Sequence, residues 1–95
     1  MDKESTPDGQ WPDGLPDEAI DQALAAALRG KMAERNLKQN MVAERAGIPV
    51  TTFARYYNGT RAMPASRFFV VANAIGVEPG EIVKAAMHIL EGAKK

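Results

Sequence analysis

The chain has 95 residues, no cysteine and a formal net charge of zero. That length allows one small domain with a single core, and the lack of cysteine excludes disulfide and thiolate–metal staples, so packed helices must supply the stability and a cytoplasmic location is expected. No apolar run approaches the ~20 residues that cross a bilayer, and no secretory signal opens the chain.

Residues 1–16, MDKESTPDGQWPDGLP, mix proline, glycine and acidic residues without periodicity, and a largely disordered acidic tail is expected there. Trp11 either packs on the folded body or anchors a partner. The folded body is expected over 17–95. Its first helix should start near Asp17, behind Pro16, with Asp17, Glu18 and Asp21 favoured by the positive end of the helix dipole. Ile20, Leu24, Leu28 and Met32 recur every four residues beside Ala23 and Ala27, which makes a core-facing stripe. Gly30 costs about 1 kcal/mol in a helix interior, so close packing or a slight bend is expected there. The helix should end near Arg35–Asn36, with Leu37 turned inward.

The stretch 39–58, QNMVAERAGIPVTTFARYYN, reads as two short helices broken by one turn. In Gln39–Ala46 the residues Val42, Ala43 and Ala46 share a face, and Gly47 supplies the left-handed conformation that commonly ends a helix. Ile48 re-enters the core, and Pro49 is tolerated at the entrance of a second helix, about 49–57, where its missing N–H has no partner to lose. Phe53 and Tyr56 lie on one face of that helix, and Val50, Thr51, Ala54 and Arg55 fall mainly on others. Asn58-Gly59-Thr60 is a turn signal. Pro64 opens a fourth helix, Ala65–Ile75, with Phe68, Ala72 and Ile75 on one face and Phe69 close by; Gly76 ends it. Pro79 and Glu81 open a fifth, with Ile82, Val83, Ala86, Ile89 and Leu90 apolar, and Lys94 and Lys95 complement its C-terminal dipole. Nothing reads as a strand. The fold class is all-α, a compact bundle of about five short helices.

The zero net charge is unevenly spread. Met1–Asp21 holds seven acidic residues and one lysine, a balance of −6, and the remainder carries +6. Between Arg29 and Arg67, eight basic residues face only Glu34 and Glu44. Either these are solvated helix faces or they form a phosphate-binding surface, and their coincidence with the two-helix unit favours the second.

Two short helices at a sharp angle, the second offering small and polar side chains outward, form a helix-turn-helix. The run LKQNMVAERAGIPVTTFARYYNGTR resembles the lambda repressor and Cro (XRE-type) family. Gln39 opens the first helix, Ala43 lies inside it and Gly47 stands at the turn. Ile48 and Phe53 occupy buried apolar positions, and Asn58-Gly59 followed by Arg61 closes the motif. The similarity covers roughly Ala19–Ala86. Tyr56 stands where a branched aliphatic residue is usual, and Pro49 and Val50 replace polar residues, which bears on register and base preference.

The resemblance implies a sequence-specific double-stranded DNA-binding regulator, a phage or prophage repressor acting by operator occupancy. Its second helix would lie in the major groove with base contacts from Val50, Thr51, Ala54 and Arg55. Backbone contacts would come from Lys38, Gln39, Thr52, Asn58 and Arg61. The planar guanidinium of Arg55 can donate two bonds to guanine O6 and N7, and Val50 can offer only apolar contact, best met by a thymine methyl. Alternatives remain at each position: Arg55 as a phosphate contact or ion pair, Thr51 as a helix-start cap, Gln39 as an ordinary cap. Arg45 is expected to be solvated or paired. The fifth helix, with Met87, Ile89 and Leu90, is the surface expected for a homodimer, unless those residues only complete the core.

With one histidine, His88, and no cysteine, neither a conventional zinc site nor a catalytic triad suggests itself, and no cofactor, metal or enzymatic activity is expected. The second reading is an antitoxin-like interaction module that uses the same scaffold, with the acidic tail or the last helix binding a protein partner.

Overall fold

The structure, a computed structural model, describes residues 15–93. Residues 1–14 of the expected tail, Trp11 among them, lie outside the described residues, as do Lys94 and Lys95. Five helices follow in order: α1 (Asp17–Glu34), α2 (Gln39–Ala46), α3 (Val50–Asn58), α4 (Ala65–Ile75) and α5 (Pro79–Ala93). There is no strand among the described residues, as the periodicity predicts. None of the described helices is long and apolar enough to cross a membrane.

Pro16 holds the extended backbone that precedes α1 (φ −68°, ψ 150°), and its carbonyl accepts the Ala19 N–H at 3.0 Å. Ala23, Ala27, Leu28 and Met32 are buried, with Ile20 and Leu24 half-buried beside them. Ala25 is buried too, outside the predicted stripe. The reason is tertiary: α1 packs on both α3 and α5, so more than one of its faces is covered. The close packing expected at Gly30 is absent, because the residue is exposed and an added Cβ would meet nothing within 4 Å.

The first four helices end in one geometry. At α1 the Leu37 N–H reaches back to Met32 O at 2.9 Å and the Asn36 N–H to Ala33 O at 3.1 Å, with Asn36 at φ +56°. The same paired bonds recur at Ile48 and Gly47, at Thr60 and Gly59, and at Val77 and Gly76. These are Schellman stops, in which a left-handed residue lets two orphan carbonyls find donors. At three of them the next residue is apolar and turns inward: Leu37 is half-buried, Ile48 and Val77 are buried. After α3 that place belongs to Thr60, which is exposed and directs the chain out again towards Arg61.

Phe53, Leu28, Met32, Val42, Val71 and Ile82 are the largest fully buried side chains, and all five helices contribute to one core. Each such burial stabilises the fold by roughly 1.5–3 kcal/mol. α2 packs between α3 and α4, and α5 lies chiefly along α1 and touches α4. Leu90 is part of the core with Ile82 and Ala86, so it is not on the self-association surface expected of it. What α5 leaves outward is Val83 and Ile89, with Met87 half-buried.

Candidate nucleic-acid interface

α3 is nine residues long, and its position follows from its sequence. Phe53 and Tyr56, three apart, drive one face into the core at 0% and 3% exposure. The opposite face must then point outward, since successive side chains turn by about 100°. Val50, Thr51, Arg55 and Asn58 are exposed there, with Ala54 half-buried among them and Thr52 half-buried on a flank. Val50 is 53% exposed, although an isolated surface valine gains nothing from that position.

The helix starts one residue later than the sequence suggests, with Pro49 as its N-cap rather than its first turn (φ −56°, ψ 140°). No side chain caps that end, so Thr51 does not act as a helix-start cap. The N-terminus of α2 is likewise without a side-chain cap, behind Lys38 in an extended conformation. Gln39 is the first helical residue there, half-buried, and Lys38 is exposed. Uncapped N–H groups at a helix start are ready to meet a phosphate oxygen. Asn58 and Arg61 are both exposed at the far end of α3, where Arg61 shares a small recess with Asp21 and Tyr56.

Two side chains of α1 hold α3 in place. Gln22 Nε2 donates to Gly59 O at 2.9 Å, and Arg29 Nη1 donates to Tyr57 O at 2.6 Å. The Arg29 guanidinium also lies 5.9 Å from the centre of the Tyr57 ring, within cation–π range. Sequence reasoning missed both, although Gln22 and Arg29 stand seven apart and therefore on one face of α1. Arg29 thus serves the fold rather than a phosphate surface.

Other cations of the basic stretch are also engaged. Arg45 Nη1 donates to Ala74 O at 3.3 Å, and Lys31 and Arg35 approach Glu34 at 4.0 and 3.6 Å. Lys38, Arg55 and Arg61 form no ion pair among the described residues. Arg55 is exposed on α3, Arg61 just after it, and Lys38 just before α2. No group of acidic or histidine side chains that could hold a metal ion occurs among the described residues.

A short helix pair at a glycine turn, with the second helix anchored by aromatic residues and its outer face unpartnered among the described residues, has the form of a helix-turn-helix DNA-binding domain. Residues 27–86 match the Cro/C1-type HTH DNA-binding domain, and the chain belongs to that family. It is a DNA-binding helix-turn-helix transcriptional regulator of the XRE type, not an enzyme. Among solved structures, the clp gene regulator ClgR from Corynebacterium glutamicum is similar, with a TM-score of 0.72 and 20% identity, covering 75% of this chain and 92% of that one. A second ClgR structure matches over 87% of both chains at the same TM-score. The restriction-modification controller protein C.AhdI from Aeromonas hydrophila gives a TM-score of 0.64 and 22% identity over 67% of this chain and 97% of its own. At these identities the likeness is one of fold. No curated protein matches the chain.

Proposed function

We infer that this protein is a cytoplasmic, sequence-specific repressor of phage or prophage type that occupies a double-stranded operator and excludes polymerase. The observation that carries this reading is the outward face of α3, where Val50 stands 53% exposed beside Thr51, Ala54 and Arg55. An apolar side chain next to a guanidinium suits a major-groove surface that presents a thymine methyl beside a guanine edge. Val50, Thr51, Ala54 and Arg55 read bases; Lys38, Gln39, Thr52, Asn58 and Arg61 hold the backbone on either side. The two named neighbours, a gene regulator and a controller protein, support regulation as the purpose of binding. The phage assignment rests on the likeness of residues 37–61 to the lambda repressor and Cro motif.

A homodimer through α5 would use Val83 and Ile89, both exposed. The same two residues favour the alternative of a protein partner docked on α5, which stoichiometric co-purification from the native host would reveal. Selection of bound duplexes from a random DNA pool, at two salt concentrations, tests the main reading. An enriched palindrome with half-sites about 34–36 Å apart is expected of a dimer on DNA. Affinity without enrichment, vanishing as salt rises, would leave only phosphate binding.

A further inference from the structure

We propose that the outward face of α3 senses the methyl group at C5 of a pyrimidine, and that it accepts 5-methylcytosine in place of thymine. Methylation of a cytosine then turns a weaker duplex into a stronger one. This rests on the reading of α3 as the helix that enters the major groove.

Two rows of side chains run along that face. Val50 and Ala54 stand four apart, as do Thr51 and Arg55. Each pair is therefore aligned, with about 6 Å of helix rise between its members. One row is apolar and the other polar. Val50 is 53% exposed and Ala54 half-buried, while Phe53 and Tyr56 occupy the side turned to the core. The Val50 methyl groups are thus open to apolar surface that a ligand brings.

The residue types on the face set what it can distinguish. In the major groove thymine presents O4 and a C5 methyl, whereas cytosine presents an N4 amino group and a bare C5. Telling an amino group from a carbonyl takes a side chain that only accepts or only donates. No carboxylate, which would accept from N4, occurs in Val50–Asn58. The Thr51 and Thr52 hydroxyls both donate and accept, so either group satisfies them. Arg55 only donates, and guanine O6 and N7 take both its bonds. It stands about 7.5 Å along the axis from Val50, more than one base step of about 3.4 Å. Different bases therefore meet the two residues.

What is left for Val50 to sense is the methyl. Thymine and 5-methylcytosine carry the same one, and uracil and unmodified cytosine lack it. Losing a methyl from a buried contact costs about the transfer free energy of one CH₂, a factor of about four in affinity.

The test uses the full chain and the operator obtained by duplex selection. Each thymine of a half-site is replaced in turn by uracil, which removes the methyl and keeps the base pair. One position should lose about fourfold for each half-site. At that position, duplexes with cytosine and with 5-methylcytosine opposite guanine are then compared. The methyl should gain about fourfold. It should also bring the site within about fivefold of the thymine duplex, the low end of the cost of one wrong pair. Both methyl effects should largely vanish in Val50→Ala. That variant should keep the wild-type circular dichroism, because Val50 is exposed and alanine favours a helix.

Equal binding of thymine and uracil duplexes at every position would overturn the proposal and leave DNA binding intact. So would methyl effects that persist undiminished in Val50→Ala. A random pool from which no duplex is enriched would remove the base-reading face itself, and the proposal with it.

Discussion

Arg29 and Tyr57 are joined twice: the guanidinium donates to the Tyr57 carbonyl at 2.6 Å and lies 5.9 Å from the centre of its ring. Tyr57 belongs to the last turn of α3, so Arg29, together with Gln22 at Gly59, holds α3 against α1. Tyr57 in turn leans on Phe53, with ring centres 6.4 Å apart. α3 is thus held from behind by a charge-assisted bond and an aromatic contact.

Arg29→Ala should lower stability by about 1.5–3 kcal/mol, the usual range for a hydrogen bond to a charged group. Urea unfolding with an unchanged slope and a lower midpoint is the expected result. Arg29→Lys should recover only part of the loss, since an ammonium cannot reproduce the planar fork over the ring. Full recovery by lysine would mean that charge alone matters.

Arg55→Ala should cost about 1–3 kcal/mol on the selected operator and relax preference at one base position. Repeating the duplex selection with the variant measures this directly. Equal weakening on every sequence would make Arg55 a phosphate contact.

Gly47 and Gly59 end α2 and α3 at φ +70° and +78°. Alanine at either position carries left-handed strain of roughly 1–2 kcal/mol. At Gly59 the new Cβ would also stand 2.7 Å from Gln22 Nε2, whereas at Gly47 it meets nothing within 4 Å. Gly59→Ala should therefore lower the melting temperature more than Gly47→Ala, because Gln22 must swing away and give up its bond to Gly59. Equal losses would show that this bond contributes nothing.

Two phenylalanines should respond oppositely. Phe53 is wholly buried, and Phe53→Ala should cost about 3–5 kcal/mol, a large share of the roughly 5–15 kcal/mol that stabilises a domain. Phe69 is 59% exposed on α4, and Phe69→Ser should change stability by less than about 1 kcal/mol. Circular dichroism melts of the two variants settle the contrast.

The helix-turn-helix was legible because its signals are local. Phe53 and Tyr56 recur at helical spacing, Gly47 follows an apolar helix face, and Ile48 re-enters the core where the turn requires it. The fate of the basic stretch was legible only in part. The sequence set Arg45 apart from the outward Arg55, but it did not show that Arg29 holds Tyr57 or that Arg45 reaches Ala74. Gln22 gave no sign of its bond to Gly59, 37 residues away.

By itself the sequence determined the five helices, their ends to within a residue or two and most of each core-facing stripe, since periodicity, prolines and left-handed stops act within a few residues. Only the tertiary structure decided which faces are opposed. It buried Ala25 because α1 is covered from more than one side, drew Leu90 into the core, and made Arg29 a brace rather than a phosphate contact. A side chain's role depends on what stands across from it, and that is set by packing between segments far apart in the chain.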